Sequence, residues 1–232
     1  MPITLVYVEP DYIGRSKSTA FIFDLDGTLF DSSEQILRAA NAARNLHNQP
    51  NLSKERADQA IGLEASELFS DLPLTQTEVS NLIREFRDAL HKEVLLGNST
   101  YPKAMDLLKT IHESGYVTGV ATSKPQYLAE AVVENSPLRE YVKEIHGTGT
   151  ARPKPEPDVV LNCFRALGAS EAFMIGDRVE DIAAGLAAGV KTIGIAQTVF
   201  SKDELLIAGA DYVYTSLNEL ALDLKNLVLD GG

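Results

Sequence analysis

The sequence predicts an α/β fold, a parallel sheet with helices on both faces and one all-helical insertion. Three observations carry this. Six short runs rich in β-branched and aromatic residues, at 20–23, 116–121, 144–146, 172–175, 192–195 and 212–214, each end at turn or polar residues. Segments of helical period lie between most of them, at 104–114, 126–134, 158–167, 181–188 and 201–208. Strands alternating with helices of this length pair in parallel and are covered on both sides, which fits the apolar runs of four to six residues. The third observation is a break in the alternation: from 33 to 97 no strand pattern occurs.

The break has its own internal order. Helical patterns run over 33–48, 53–61, 64–69 and 75–95. Ser53 is placed to cap the second, and Thr75 followed by Glu78 has the spacing of a capping box for the fourth. Gly97-Asn98 then stops the long helix. The expected organisation is a core of residues 1–32 and 98–232 with a helical domain at 33–97. Ahead of the first core strand, Ile3 to Val8 reads as an added edge strand and 10–18 as a connecting loop.

Composition narrows the function classes. A chain of 232 residues, 44% hydrophobic and 23% charged, buries a sizeable core without staples. Cys163 is the only cysteine, which excludes an intrachain disulfide and fits a reducing, cytoplasmic setting. Its apolar surroundings suit a buried helix residue rather than a catalytic thiol. The net charge of −12 repels nucleic acid and anionic membranes, so neither is an expected partner. The first ten residues have no basic region and too short an apolar run for a signal peptide or a membrane span.

The chemistry is concentrated in Phe21-Ile22-Phe23-Asp24-Leu25-Asp26-Gly27-Thr28-Leu29, at the carboxyl end of the first core strand. Open α/β sheets bind ligands there. Residues two apart on an extended chain point the same way, so Asp24 and Asp26 face one site. Gly27 lets the backbone turn and approach a ligand closely. Two adjacent carboxylates suit a division of labour: one stays ionised as a nucleophile, the other moves a proton. Further along, Asp177 ends a strand and Asp181 lies one helical turn later, so both can face the same place.

This first motif, followed by Phe30-Asp31-Ser32, resembles that of the haloacid dehalogenase-like superfamily, and three later landmarks occur in order. Thr122 in Val120-Ala121-Thr122-Ser123-Lys124-Pro125 matches the second motif, and Lys154 in Arg152-Pro153-Lys154-Pro155 matches the third. The pair Asp177 and Asp181 matches the fourth. The resemblance covers about residues 20–220. It implies a Rossmann-like core with strands ordered six-five-four-one-two-three, and a small helical cap formed by the insertion. It also implies Mg²⁺ held by the Asp24 carboxylate, the Asp26 main-chain carbonyl and Asp177, with Asp181 orienting metal-bound waters. Asp24 would then be the nucleophile and Asp26 the acid and base. Thr122 and Lys154 would hold the phosphoryl oxygens, helped by backbone amides near Gly27 and Ser123. Arg178 departs from the small hydroxyl residue common after this aspartate; it is expected to pair with a neighbouring acid or face solvent.

The implied reaction is phosphatase chemistry on a small soluble phosphate monoester, with phosphoglycolate the first expected substrate. Asp26 argues against the dehalogenase and phosphonatase branches, which lack it. A phosphomutase, a nucleotidase or pyrophosphatase, and a silent phosphate-binding protein are the alternatives. His47 and His91, in the insertion, are expected to be surface or packing residues. The chain is expected to act as a monomer or homodimer.

Overall fold

The computed structural model describes residues 18–229. In chain order its elements are β1 (Thr19–Phe23), α1 (Ser33–Leu46), α2 (Lys54–Ala60), α3 (Gln76–Leu95), α4 (Ala104–Glu113), β2 (Val117–Pro125), α5 (Gln126–Glu134), β3 (Val142–Thr148), α6 (Asp158–Leu167), β4 (Glu171–Gly176), α7 (Val179–Ala188), β5 (Lys191–Ile195), α8 (Lys202–Ile207), β6 (Tyr212–Tyr214) and α9 (Leu217–Leu229). The edge strand expected at 3–8 lies outside the described residues.

The six strands among the described residues are all parallel, in the order β3-β2-β1-β4-β5-β6. This is the expected order. The chain leaves β1 towards β2 on one side and returns to β4 on the other, so the order reverses at β1. That reversal opens a crevice at the carboxyl ends of β1, β2 and β4. β1 is buried along its whole length. Its side chains alternate between faces: Phe21 and Phe23 join the larger apolar core with α4, α5 and α9, while Ala20 and Ile22 pack with α6 and α7. Phe21 stacks on Phe173 of β4 at 5.4 Å between ring centres. Burying a side chain of this size contributes roughly 1.5–3 kcal/mol.

Between 33 and 97 the chain forms helices joined by turns and no strand, as its sequence predicts. α1 buries Ile36, Ala39, Ala40 and Ala43, one stripe at helical spacing, and α3 offers Leu82, Phe86, Leu90 and Val94 to it. The alanines let the two helices pack closely. Both expected caps form: Ser53 accepts from the Arg56 amide, and Thr75 and Glu78 complete the capping box. The stretch expected as a helix at 64–69 is a 3-10 turn, Ala65–Phe69. Five residues that bury Leu68 and Phe69 in succession are too few to nucleate an α-helix. α9 goes beyond the expected elements, although Leu217, Leu220, Leu224 and Leu227 line one face of it. β2 also runs further than expected. After a register shift past Ala121 it pairs Pro125 with Thr148, which carries 122–124 alongside the crevice.

Candidate active site

Asp24 follows β1 directly, and its amide continues the ladder by donating to the Ile175 carbonyl at 2.8 Å. The chain then turns sharply: the Leu25 carbonyl accepts from the amides of Thr28, Leu29 and Phe30. Gly27 holds φ +88° here, a conformation other residues rarely adopt, and a Cβ at this position would lie 2.4 Å from Asp177 Oδ2. Glycine is therefore required twice over, by the turn and by the closeness of Asp177.

Asp24, Asp177 and Asp181 converge. Each is at least 98% buried, and one oxygen from each lies within 4.8 Å of the others. Among the described residues they are the one such group of acids, histidines or cysteines. The Lys154 ammonium sits between two of them, 2.7 Å from Asp24 Oδ1 and 2.5 Å from Asp181 Oδ1, and also donates to the Ala121 carbonyl at 3.1 Å. Asp177 accepts from two hydroxyls instead, Thr28 Oγ1 at 2.8 Å and Thr198 Oγ1 at 2.5 Å. Asp181 accepts from the Arg178 amide at 3.0 Å.

Among the described residues these three buried carboxylates share one buried cation, and the proton affinities of Asp24 and Asp177 record the shortfall. Burial, partly offset by Lys154 and reinforced by Asp181, raises the Asp24 pKa to about 6. Asp177 has no cation beside it among the described residues; burial, with Asp181 and Asp24 adding repulsion, raises it to about 7. Burial alone would lower the Lys154 pKa, but the attraction of Asp181 and Asp24 outweighs it and holds the ammonium above the usual lysine range. A divalent cation would remove the remaining repulsion. The hard oxygen donors suit an ion of the Mg²⁺ type, so the residues present fit the metal that the motif implies.

Asp26 stands apart from this cluster. Its carboxylate is held by Lys124, with Nζ 2.8 Å from Oδ2, while its Oδ1 is buried without a hydrogen-bond partner. It lines a cleft of about 470 Å³ between the sheet end and the insertion. Ser123 and Lys124 line the same cleft, with Ile61–Glu64 and the apolar side chains of Phe86 and Leu90 opposite. Thr122 is buried at the adjacent turn, where its Oγ1 accepts from the Lys124 amide at 3.3 Å. The Ser123 hydroxyl is buried and has no hydrogen-bond partner among the described residues.

The structure therefore brings Asp24, Asp177, Asp181 and Lys154 into contact, with Asp26, Gly27, Thr122 and Ser123 around them. Sequence reading missed three groups that hold this arrangement: Lys124, Thr28 and Thr198. Lys124 had a signal, since it lies two residues after Thr122 on one strand, the same reasoning that paired Asp24 with Asp26. Thr198 had none, because it arrives from beyond β5. Arg178 does pair with a neighbouring acid, Glu180, at 3.2 Å, but it is buried rather than solvent-facing. Cys163 is buried under Gly119 and its thiol pKa is raised by burial, which fits the packing role expected of it. His91 packs edge-on against Tyr127, also as expected.

A family model described as haloacid dehalogenase-like hydrolase matches residues 21–195, from β1 through β5. The chain belongs to this family. As a haloacid dehalogenase-like hydrolase it is 29% identical over 226 residues to an N-acetylmuramic acid 6-phosphate phosphatase of Pseudomonas aeruginosa, covering 93% of this chain and 99% of the relative. It is 32% identical over 187 residues to a phosphoglycolate phosphatase of Aliivibrio fischeri, covering 75% and 82%. Among solved structures, a predicted phosphatase from Clostridium acetobutylicum superposes with a TM-score of 0.81 at 27% identity, over 91% of this chain and all of that one. No helix among the described residues of this hydrolase is long and apolar enough to cross a membrane.

Proposed function

We propose that this hydrolase removes phosphate from a small soluble phosphate monoester, with Mg²⁺, through an aspartyl-phosphate on Asp24. The observation that carries the reading is the unequal provision for two neighbouring carboxylates. Asp24 lies in the acidic cluster beside Lys154, while Asp26 is turned off the cluster by Lys124 and lines the cleft. This difference supports Asp24 as the group that attacks phosphorus and Asp26 as the one that serves the oxygen on the far side.

Mg²⁺, held by Asp24, the Asp26 carbonyl and Asp177 with Asp181 behind them, would neutralise charge on the phosphoryl oxygens. The rest is done by the chain. An Asp24 oxygen attacks phosphorus as the ester oxygen leaves, and Asp26 gives that oxygen its proton. Asp26 then takes a proton from the water that attacks the aspartyl-phosphate, which frees phosphate and restores Asp24. Lys154, Thr122 and the Ser123 hydroxyl supply donors to the oxygens on which charge develops. Residues 33–97 act as a cap over a core of 1–32 and 98–232, keeping water from the intermediate.

Phosphoglycolate remains the first substrate to try. The cleft of about 470 Å³ leaves room beyond a two-carbon leaving group, and its apolar wall at Phe86 and Leu90 suits a larger one, so sugar phosphates stand next. The lone buried cysteine and the acidic surface fit a cytoplasmic enzyme, monomeric or dimeric. Phosphate release with and without Mg²⁺, for the natural chain and Asp24→Asn, tests the reading across phosphoglycolate, sugar phosphates, nucleoside monophosphates and pyrophosphate. Metal-dependent release that disappears with the substitution is the expected result. Release that survives it removes Asp24 as nucleophile, and no release from any ester favours a mutase or a silent binding protein.

A further inference from the structure

Arg178 occupies the N-cap of α7, a position where Ser, Thr, Asp or Asn would accept a hydrogen bond from the helix. A guanidinium only donates, so the residue is not explained by the helix it precedes. Its side chain leaves the core altogether. Nη1 donates to the Ile61 carbonyl at 2.8 Å and to the Gln59 carbonyl at 3.3 Å, both at the end of α2 in the insertion. Nε pairs with Glu180 at 3.2 Å, and the guanidinium lies over the Phe200 ring at 5.2 Å. The next residue of the insertion, Gly62, makes room for the stem: at φ +81°, a Cβ there would lie 2.7 Å from Arg178 Cδ. The whole residue is 5% exposed.

Two ends of the molecule meet in this one residue. Its backbone follows Asp177, and its amide, which a side-chain substitution keeps, donates to Asp181. Its side chain fixes the segment from Ile61 to Glu64, which forms a wall of the cleft opposite Asp26 and Lys124. We propose that Arg178 is a positioning residue, which docks the Ile61–Glu64 segment on the core and so shapes the wall that the leaving group of the substrate meets. This rests on the reading of 33–97 as a cap over a phosphatase site. The planar fork of arginine reaches two carbonyls with one nitrogen while its other donor holds Glu180; a lysine ammonium is a single point and cannot keep that arrangement.

The test compares the natural chain with Arg178→Ala, Arg178→Lys and Gly62→Ala, using the best ester of the panel above and p-nitrophenyl phosphate. Amide hydrogen exchange over 59–66 is measured alongside. The expected result is a KM for the best ester raised about tenfold or more in Arg178→Ala, with kcat on p-nitrophenyl phosphate within about threefold of the natural chain. Arg178→Lys recovers part of the loss. Exchange at 60–64 quickens in Arg178→Ala while that of β1 and β4 does not. Gly62→Ala, which pushes the stem aside, raises KM as well, and adds less when Arg178 is already Ala.

Unchanged KM and unchanged exchange in Arg178→Ala overturn the proposal while leaving the phosphatase reading intact. So does a lowered melting temperature with no change in KM, which would make the residue merely structural. If the natural chain releases phosphate from nothing, the phosphatase reading fails by itself, and the exchange experiment still decides whether Arg178 docks the segment. Should Arg178→Ala not fold, the Arg178→Lys and Gly62→Ala chains give the same two readouts.

Discussion

The carboxyl end of the sheet and the helical insertion each bury charge, and they settle it differently. In the insertion, Arg44 is fully buried, and both terminal nitrogens are used twice: Nη1 by the Pro50 carbonyl and Asp71, Nη2 by the Leu68 carbonyl and Asp71. That charge is matched by neighbours within the insertion, and Asp71 is held below the usual carboxylate range by the hydrogen bonds from Arg44. At the sheet end, Asp24, Asp177 and Asp181 face one lysine, and two of them are pushed up towards neutrality. Matched buried charge ties loops together. Unmatched buried charge is maintained against a cost, and marks a place built to receive something.

The largest effect expected on this contrast comes from Asp24→Asn. It keeps the shape of the cluster, removes the nucleophile, and lowers phosphate release by about 10⁴-fold or more. A rate within tenfold of the natural chain, measured at saturating Mg²⁺, would break the assignment. Asp26→Asn follows. Loss of the proton donor and acceptor lowers kcat by about 10²–10⁴-fold, and rapid-quench trapping of phosphoenzyme identifies the slowed step.

Next comes pH. Asp24 and Asp177, at about 6 and 7 in the folded chain, both stand above the ordinary aspartate value of 3.8. The folded, metal-free protein therefore binds more protons than the unfolded chain between those values, and stability falls as pH rises through that window. The contribution of these two groups is full below about pH 4 and lost by about pH 7–8. A melting temperature that drops from pH 5.5 to 8 without metal, and drops less with Mg²⁺, is the expected result of thermal scans. A metal-free curve that rises over this range contradicts the unmatched charge. Calorimetry should also find proton release on Mg²⁺ binding, and affinity that strengthens with pH.

Arg44→Met is the counterpart in the insertion. Asp71 is partly exposed and can turn to water, so the loss is about 1.5–3 kcal/mol, read by denaturant unfolding, and Mg²⁺ affinity stays the same. A change in Mg²⁺ affinity would mean the two charge sites communicate. The smallest effect belongs to Cys163→Ala. The thiol is buried against Gly119, so thiol reagents should leave the native chain unmodified, and the variant should keep its full kcat.

Much of this was readable without coordinates, for physical reasons. The central strands β1, β4 and β5 are buried on both faces, so they appear as apolar runs whose lengths and spacing are visible along the chain, and the helices between the strands carry the 3.6-residue period. The acidic residues of the cluster end strands β1 and β4 or start the helix after β4, where the α/β architecture gathers strand ends at one edge. Asp24, Asp177, Asp181 and Lys154 were accordingly found from local pattern and a motif resemblance. The 3-10 turn at Ala65–Phe69 was not, because it is too short to show a period and is held by Arg44, which meets the Leu68 carbonyl and the Phe69 ring.

By itself, then, the sequence determined the α/β core, the position of the helical insertion, and the identity of the acidic residues with their lysine. The core and the insertion depend on periodicity, the acidic residues on short spacings that a strand or a helical turn converts into direction, and Lys154 on the motif resemblance alone. Tertiary structure alone decided the partners: Lys124 on Asp26, Thr198 on Asp177, and Arg178 across to Gln59 and Ile61. Each of these contacts joins residues far apart along the chain, brought together only when the sheet, its loops and the insertion pack. Nothing in local pattern encodes such a distance, and a charged side chain shows its role only when the fold reveals what faces it.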